Sequence, residues 1–318
     1  CSISLCSNAN FQGSIVNGAK ANDSFSIALG SNSSATGASS ISIGYAATSN
    51  SQSTTQLSGY TQGATSIGSA SSAIGRQSVA LGAAAQAKAE QSTAIGNDTV
   101  ASGFGSISIG GDDTGYSADK DKSKVNDPYI YTQTTAVGYF KKNSSNQFNY
   151  AYRPSVATGV GAVTIGVHSQ SLSDGSTAIG VSATAGDDAN GVLDTPIVTA
   201  AKEATAVGAF ARAKSLNSTA VGHNATAQNI KSTSIGNDAT ATGIQAVAIG
   251  NATLASGTSS AAIGDNAIAS NENAISIGTN AQATAKNSIS IGTGNKVTGA
   301  GSGAMVILLL LPEQILIV

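Results

Sequence analysis

One phrase of apolar and small residues recurs along the chain, clearest from Ser259 to Ala269. It runs as a small polar residue, a short apolar stretch ending in Ile263, then Gly264, two turn residues and Ala267-x-Ala269. With the glycine as position zero, position −1 is aliphatic in every copy, as at Leu29, Ile43, Leu81, Ile95, Ile109 and Ile291. Position −3 is often aliphatic too (Ile27, Ile41, Val79, Ile107, Val247, Ile289), and positions +3 and +5 are mostly alanine (Ala85 and Ala87, Ala281 and Ala283). Alternation with period two over such short stretches, bounded by Gly and Asn, predicts strands. Glycine at zero, and often again at +7 (Gly103, Gly243, Gly257), predicts two tight turns per repeat.

The phrase returns every fourteen residues at Gly208, Gly222, Gly236, Gly250, Gly264, Gly278 and Gly292. The same phase reaches back through Gly180, Gly166, Gly138, Gly110, Gly96, Gly82 and Gly68, with one slip between Gly44 and Gly68. Repetition on this scale decides the architecture, because one coil cannot bury its apolar row alone and must stack on identical neighbours. The expectation is an all-β parallel solenoid whose aliphatic rows at −1 and −3 form a continuous thin core. Position −2 then faces the other way, yet it is always Ala, Ser or Thr (Ala28, Ser42, Ala94, Thr164, Ala262, Ser290). A row held this small points to close contact with a neighbouring chain, or is simply what an Ala- and Ser-rich composition supplies.

Phrases such as Ser92-Thr93-Ala94-Ile95-Gly96, in many phased copies covering nearly the whole chain, resemble the head repeats of the YadA-like trimeric autotransporter adhesins. The resemblance implies a left-handed parallel β-roll, a homotrimer, and a place at the tip of a stalk on a Gram-negative outer membrane. It implies no enzymatic activity and no cofactor. The partners it implies are host extracellular matrix proteins (collagen, fibronectin, laminin) or host cell receptors. The stalk and anchor that it also implies are not in this sequence. The alternative is a structural spacer or self-association segment, acting in autoagglutination or biofilm without a host ligand.

Composition agrees with a thin core: 37 glycines, no Trp, 4% aromatic and 10% charged residues. A net charge of −2 gives no case for nucleic acid as a partner. The only cysteines, Cys1 and Cys6, make neither a disulfide framework nor a zinc site. Residues 1–23 read as an irregular lead-in, and residues 24–305 as the roll, with insertions near 45–65, 111–135, 139–156 and 181–203.

The insertions between Gly110 and Gly166 change character. Tyr116, Tyr129, Tyr131, Tyr139, Phe140, Phe148, Tyr150 and Tyr152 are eight of the chain's fourteen aromatics, and Lys141, Lys142 and Arg153 stand among them. Tyr and Arg are the residues that anchor protein interfaces, so these eleven are the candidate ligand-binding residues. They serve equally well to pin the loops onto the roll or onto an adjacent chain. Asp112-Asp113 and Asp187-Asp188 offer oxygen ligands of the kind calcium takes, although paired acids in loops are more often only solvated. His168 and His223 follow ladder glycines and are expected to be turn residues.

The chain shows no catalytic constellation, no phosphate loop of the Gly-x4-Gly-Lys-Ser/Thr kind and no small-molecule site. Nor does it have the regular Thr-x-Thr ladder of an ice-binding face. The fourteen-residue period is not a multiple of the six of acyltransferase solenoids.

Residues 306–318 break the pattern, with Val306 where the ladder predicts glycine and no Gly or Ala up to Val318. With suitable codons, one added base before Val306 gives Gly-Asp-Pro-Thr-Ile-Ile-Thr-Gly-Thr-Asp-Ser-Tyr-Ser, which restores glycine at zero and +7. The tail is expected to be a frameshift product, and reading the gene across Met305 checks this: an uninterrupted native frame through Val306 contradicts it.

Overall fold

The computed structural model describes residues 3–5, 18–22, 25–51, 63–111, 154–186 and 203–305. These residues form a parallel β-solenoid and contain no helix. Each coil contributes a three-residue strand ending at position −1 and a two-residue strand at +4 and +5, as in Ala261–Ile263 and Ile268–Ala269. Every strand pairs in parallel with its counterpart one coil on: Ala261 with Ile275, Ile263 with Ile277, Ile268 with Gln282. The longer strands build a 17-stranded sheet and the shorter ones a 16-stranded sheet.

Two turns of one kind join the sheets. Ala281 N–H donates to Gly278 O (3.2 Å), and Ala274 N–H donates to Asn271 O (3.0 Å). In both, the third residue is left-handed, Asn280 at φ 57° and Asn273 at φ 54°. The coil is therefore two seven-residue halves. Asn tolerates this region because its short amide bonds locally, whereas Ala252 and Phe25 hold the same conformation at a cost of about 1–2 kcal/mol each.

The structure reverses the expected inside and outside. Position −2 points into the coil: Ala28, Ser42, Ala94, Thr164, Ala262 and Ser290 are completely buried. The +3 and +5 residues and the small residue at −4 join it, so the core is a column of Ala and Ser such as Ala246, Ala248, Ala255, Ala262, Ala267 and Ala269. The −1 and −3 aliphatics face outward, with Ile235 at 38%, Ile263 at 36% and Ile289 at 42% exposure. The reason is size. A loop of fourteen residues that spends eight on turns leaves an interior one methyl group deep on each side, which a branched four-carbon side chain cannot enter.

Many of the serines and threonines in this interior donate to nearby backbone, although the hydroxyls of Ser33, Ser49, Ser260 and Ser276 are buried without a partner. At −4, Ser92 Oγ donates to Ala89 O (2.7 Å) and Ser232 Oγ to Asn229 O (2.6 Å). At −2, Ser42 Oγ reaches across the coil to Ala47 O (2.6 Å) and Ser234 Oγ to Ala239 O (2.7 Å). At +3, Thr99 Oγ1 caps Gly96 O (3.0 Å). A buried hydroxyl left without such a partner would cost roughly 1–3 kcal/mol.

The zero glycine is required twice over. It sits at positive φ, 135° at Gly236 and 132° at Gly264. A β-carbon there would lie 2.2 Å from Gly250 O and 2.6 Å from Gly278 O respectively, on the backbone of the next coil. Stacked glycines are thus the contact at which consecutive coils touch. The +7 position is less demanding and accepts Ala89, Ser215, Asn229 and Asn271.

Ile107, Ser108 and Ile109 pair directly with Val163, Thr164 and Ile165, so the roll steps from Gly110 to Gly166. The coil that the phase places at Gly138 does not stand between them, and Gly138 lies outside the described residues. Likewise Ile43 pairs with Ile67, and Ile179 with Val207. Removing residues 112–153 would leave Gly110 and Gly166 one fourteen-residue step apart.

Gly236→Ala is expected to destabilise the roll by well over about 1 kcal/mol, since φ and the next backbone both exclude a β-carbon. Gly105→Asn is the control, at a left-handed φ of 62° with open space around it. Thermal melts by circular dichroism check this; equal midpoints for the two variants would contradict it.

Candidate interaction surfaces

Three surfaces of the roll carry something other than generic coil. The largest is the outer face of the 17-stranded sheet, where positions −1 and −3 align coil above coil. Leu29, Ile67, Ile165, Ile235, Ile263 and Ile277 at −1 are all more than a third exposed. Since strands of neighbouring coils are about 4.8 Å apart, the row is a continuous aliphatic ribbon along the solenoid. Fully burying such a side chain is worth about 1.5–3 kcal/mol. Each is already more than half covered within its own roll, so roughly a third of that, repeated coil after coil, is left for association.

The second surface is the turn at zero to +2. Between Gly208 and Gly278 it carries a ladder of polar side chains. Asn237 Nδ2 donates to Asn251 Oδ1 (2.9 Å) and Asn251 Nδ2 to Asp265 Oδ1 (2.7 Å), and His223 Nδ1 lies 3.1 Å from Asn237 Oδ1. His223 also stands edge-on to the ring of Phe210, with centroids 5.8 Å apart. It is an exposed turn residue, and His168 holds the left-handed turn position at φ 57°. Each rung bonds to the next, so the ladder ties coils together and presents few unmet donors or acceptors.

The third surface is where residues 112–153 leave and rejoin the roll. They depart after Gly111 at +1 and return at Pro154, from the same turn that carries the polar ladder further along. The segments 52–62 and 187–202 instead leave from the other turn, after Ser51 and Gly186.

Tyr116, Tyr129, Tyr131, Tyr139, Phe140, Lys141, Lys142, Phe148, Tyr150, Tyr152 and Arg153 all lie outside the described residues, as do Asp112-Asp113 and Asp187-Asp188. What the structure adds for them is the anchor point, two adjacent coils held together by Ile107–Ile109 and Val163–Ile165. Among the described residues no group of three or more His, Cys, Asp or Glu could hold a metal ion, and no helix is long and apolar enough to cross a membrane.

The family model for the YadA head domain repeat matches residues 17–33, 62–85, 73–99, 157–183, 200–225, 227–253, 255–281 and 283–302, more than half of the chain. The chain belongs to the YadA head family. No curated protein matches it. The matched repeats lie in the regular coils and stop on either side of residues 112–153. Membership makes this a repeat module of the trimeric autotransporter adhesins, which are displayed on bacterial cell surfaces and whose heads are adhesive and typically non-enzymatic.

The sequence pattern located the aliphatic rows but not their direction. The signal that could have given it was the stricter rule. In the described coils, positions −4 and −2 hold only Ala, Ser or Thr, and +5 departs from small residues only at Val297, whereas −3 varies between large aliphatics and smaller residues, as at Thr177, Thr205, Thr219 and Thr233.

Proposed function

We propose that this chain is the head of a homotrimeric adhesin on the outer membrane of a Gram-negative bacterium, attaching the cell to host extracellular matrix or to host cell receptors. Three rolls pack their aliphatic ribbons together around a common axis, which uses the hydrophobic free energy that each roll leaves exposed. The resulting rod carries three copies of every surface feature, and avidity turns weak single contacts into firm attachment. Residues 112–153 carry the specificity: they hold most of the chain's aromatics, and they are mounted on a rigid pair of coils.

The observation that carries this reading is the combination of the continuous exposed ribbon with membership of a homotrimeric adhesin family. The ribbon accounts for the trimer, and the interruption of an otherwise regular roll accounts for the ligand site.

Ile235→Asp combined with Ile263→Asp should shift the chain from trimer to monomer in sedimentation equilibrium, since two charges per chain would face the axis. A persisting trimer would contradict the packing.

Deleting residues 112–153, with Pro154→Asn to supply the left-handed residue that proline cannot, should keep the trimer and abolish binding to immobilised collagen, fibronectin, laminin or a receptor panel. Binding that survives the deletion would move the site to the coil surface. No binding by the intact chain, with clumping of cells that display it, would favour self-association.

A further inference from the structure

The aliphatic ribbon explains why rolls associate but not at what height. Every coil offers Leu, Ile or Val at −1, so sliding one roll by a coil, about 4.8 Å, leaves that row matched. Repetitive strands specify register weakly for this reason. Something that does not repeat must fix it.

The row at +8 does not repeat. It lies at the turn that opens each long strand, three residues ahead of −3, with Arg76 buried and Phe104, Val160, Ile230 and Ile244 exposed. Ile244, for example, lies in the turn that Ala246 N–H closes onto Gly243 O (3.2 Å), just before the strand Val247–Ile249. Near one end of the roll the row is ionic, Arg76 to Glu90 at 3.1 Å. Phe104 and Val160 follow, 48% and 52% exposed on adjacent coils. Asp174 comes next, and further on Leu216, Ile230 and Ile244, the last two 43% and 45% exposed. Thr258 closes that segment, and the row turns ionic again, Glu272 to Lys286 at 2.7 Å, before Ala300.

We infer that this +8 row is a second, register-setting part of the contact with other copies of this chain. The inference rests on the packing of ribbons proposed above. The occupant is a second copy because the row borders the ribbon along the corner where the sheet begins, and in a cyclic trimer that corner meets the neighbour's opposite corner at each interface. In register, the apolar segment 216–244 is covered. Slipped by a coil, its end is uncovered, and Glu272 moves toward surface that the apolar segment should meet.

The test reads height directly. In a chain with Cys1→Ser and Cys6→Ser, two versions carry Thr233→Cys or Val247→Cys, −3 positions on successive coils, and one version bears a size tag. Co-expressed chains are oxidised, and the disulfide products are separated by size. The parent should give only same-position links. The variant Leu216→Asn, Ile230→Asn, Ile244→Asn should keep its trimer mass and β-sheet circular dichroism. It should lose register, with 233–247 links appearing at a level comparable with same-position links. Same-position links alone in a trimeric variant would overturn the inference and leave register to the −3 row or the inserted segments. A monomeric parent chain would instead overturn the ribbon packing on which the inference rests.

Discussion

The contact between stacked glycines sets the scale of everything else in this structure. Gly236, Gly250 and Gly264 each lack a side chain at a point where a β-carbon would enter the backbone one coil on. The positive φ that turns the chain there, and the left-handed residue two places later, close each coil after fourteen residues. A coil so closed has room inside only for small side chains, up to the size of Thr164 and Val297. Alanine fills it, and serine and threonine also enter, many of them donating to turn carbonyls at 2.5–3.2 Å.

The hydrophobic residues of the repeat are excluded from the interior by that geometry and stand outside in a row. This exchanges the usual roles of core and surface. The column of small residues gives each roll its shape, while the part of the aliphatic row that stays exposed is left to assembly. A solenoid also passes stability only between neighbouring coils. Long segments can therefore interrupt it, as residues 112–153 do, provided the coils on either side still meet. Ile107 against Val163 shows that they do. Side-chain rungs between successive coils, from Asn237 to Asn251 to Asp265 and from Glu272 to Lys286, add local reinforcement along the turns.

Much of this was legible in the sequence. The period, the all-β architecture, the strand positions and the turn glycines follow from alternation and spacing alone, and the family resemblance rested on the same phased residues. Direction was not legible from alternation, because period two says which residues share a face but not which face is inside. The habit of placing Ile inside and Ala outside gave the wrong answer for Ile263 and Ala262. Perimeter, not hydrophobicity, decides that point. The phase at Gly138 misled for a different reason: spacing by a multiple of fourteen is compatible with a coil but does not require one, and the direct pairing across Gly110 and Gly166 bypasses it. The candidate binding residues from Tyr116 to Arg153 follow no period, so the reasoning that fixed the roll had nothing to act on there.

The most direct test of small-inside, large-outside is a reciprocal pair of substitutions on adjacent residues, Ala262→Ile and Ile263→Ala, compared by far-ultraviolet circular dichroism through thermal unfolding. The account predicts that Ala262→Ile overfills the interior and lowers the melting midpoint sharply or prevents folding, while Ile263→Ala keeps the β-sheet signal and weakens only association. A tolerated Ala262→Ile beside a collapsed Ile263→Ala would put the aliphatic row back inside and contradict it.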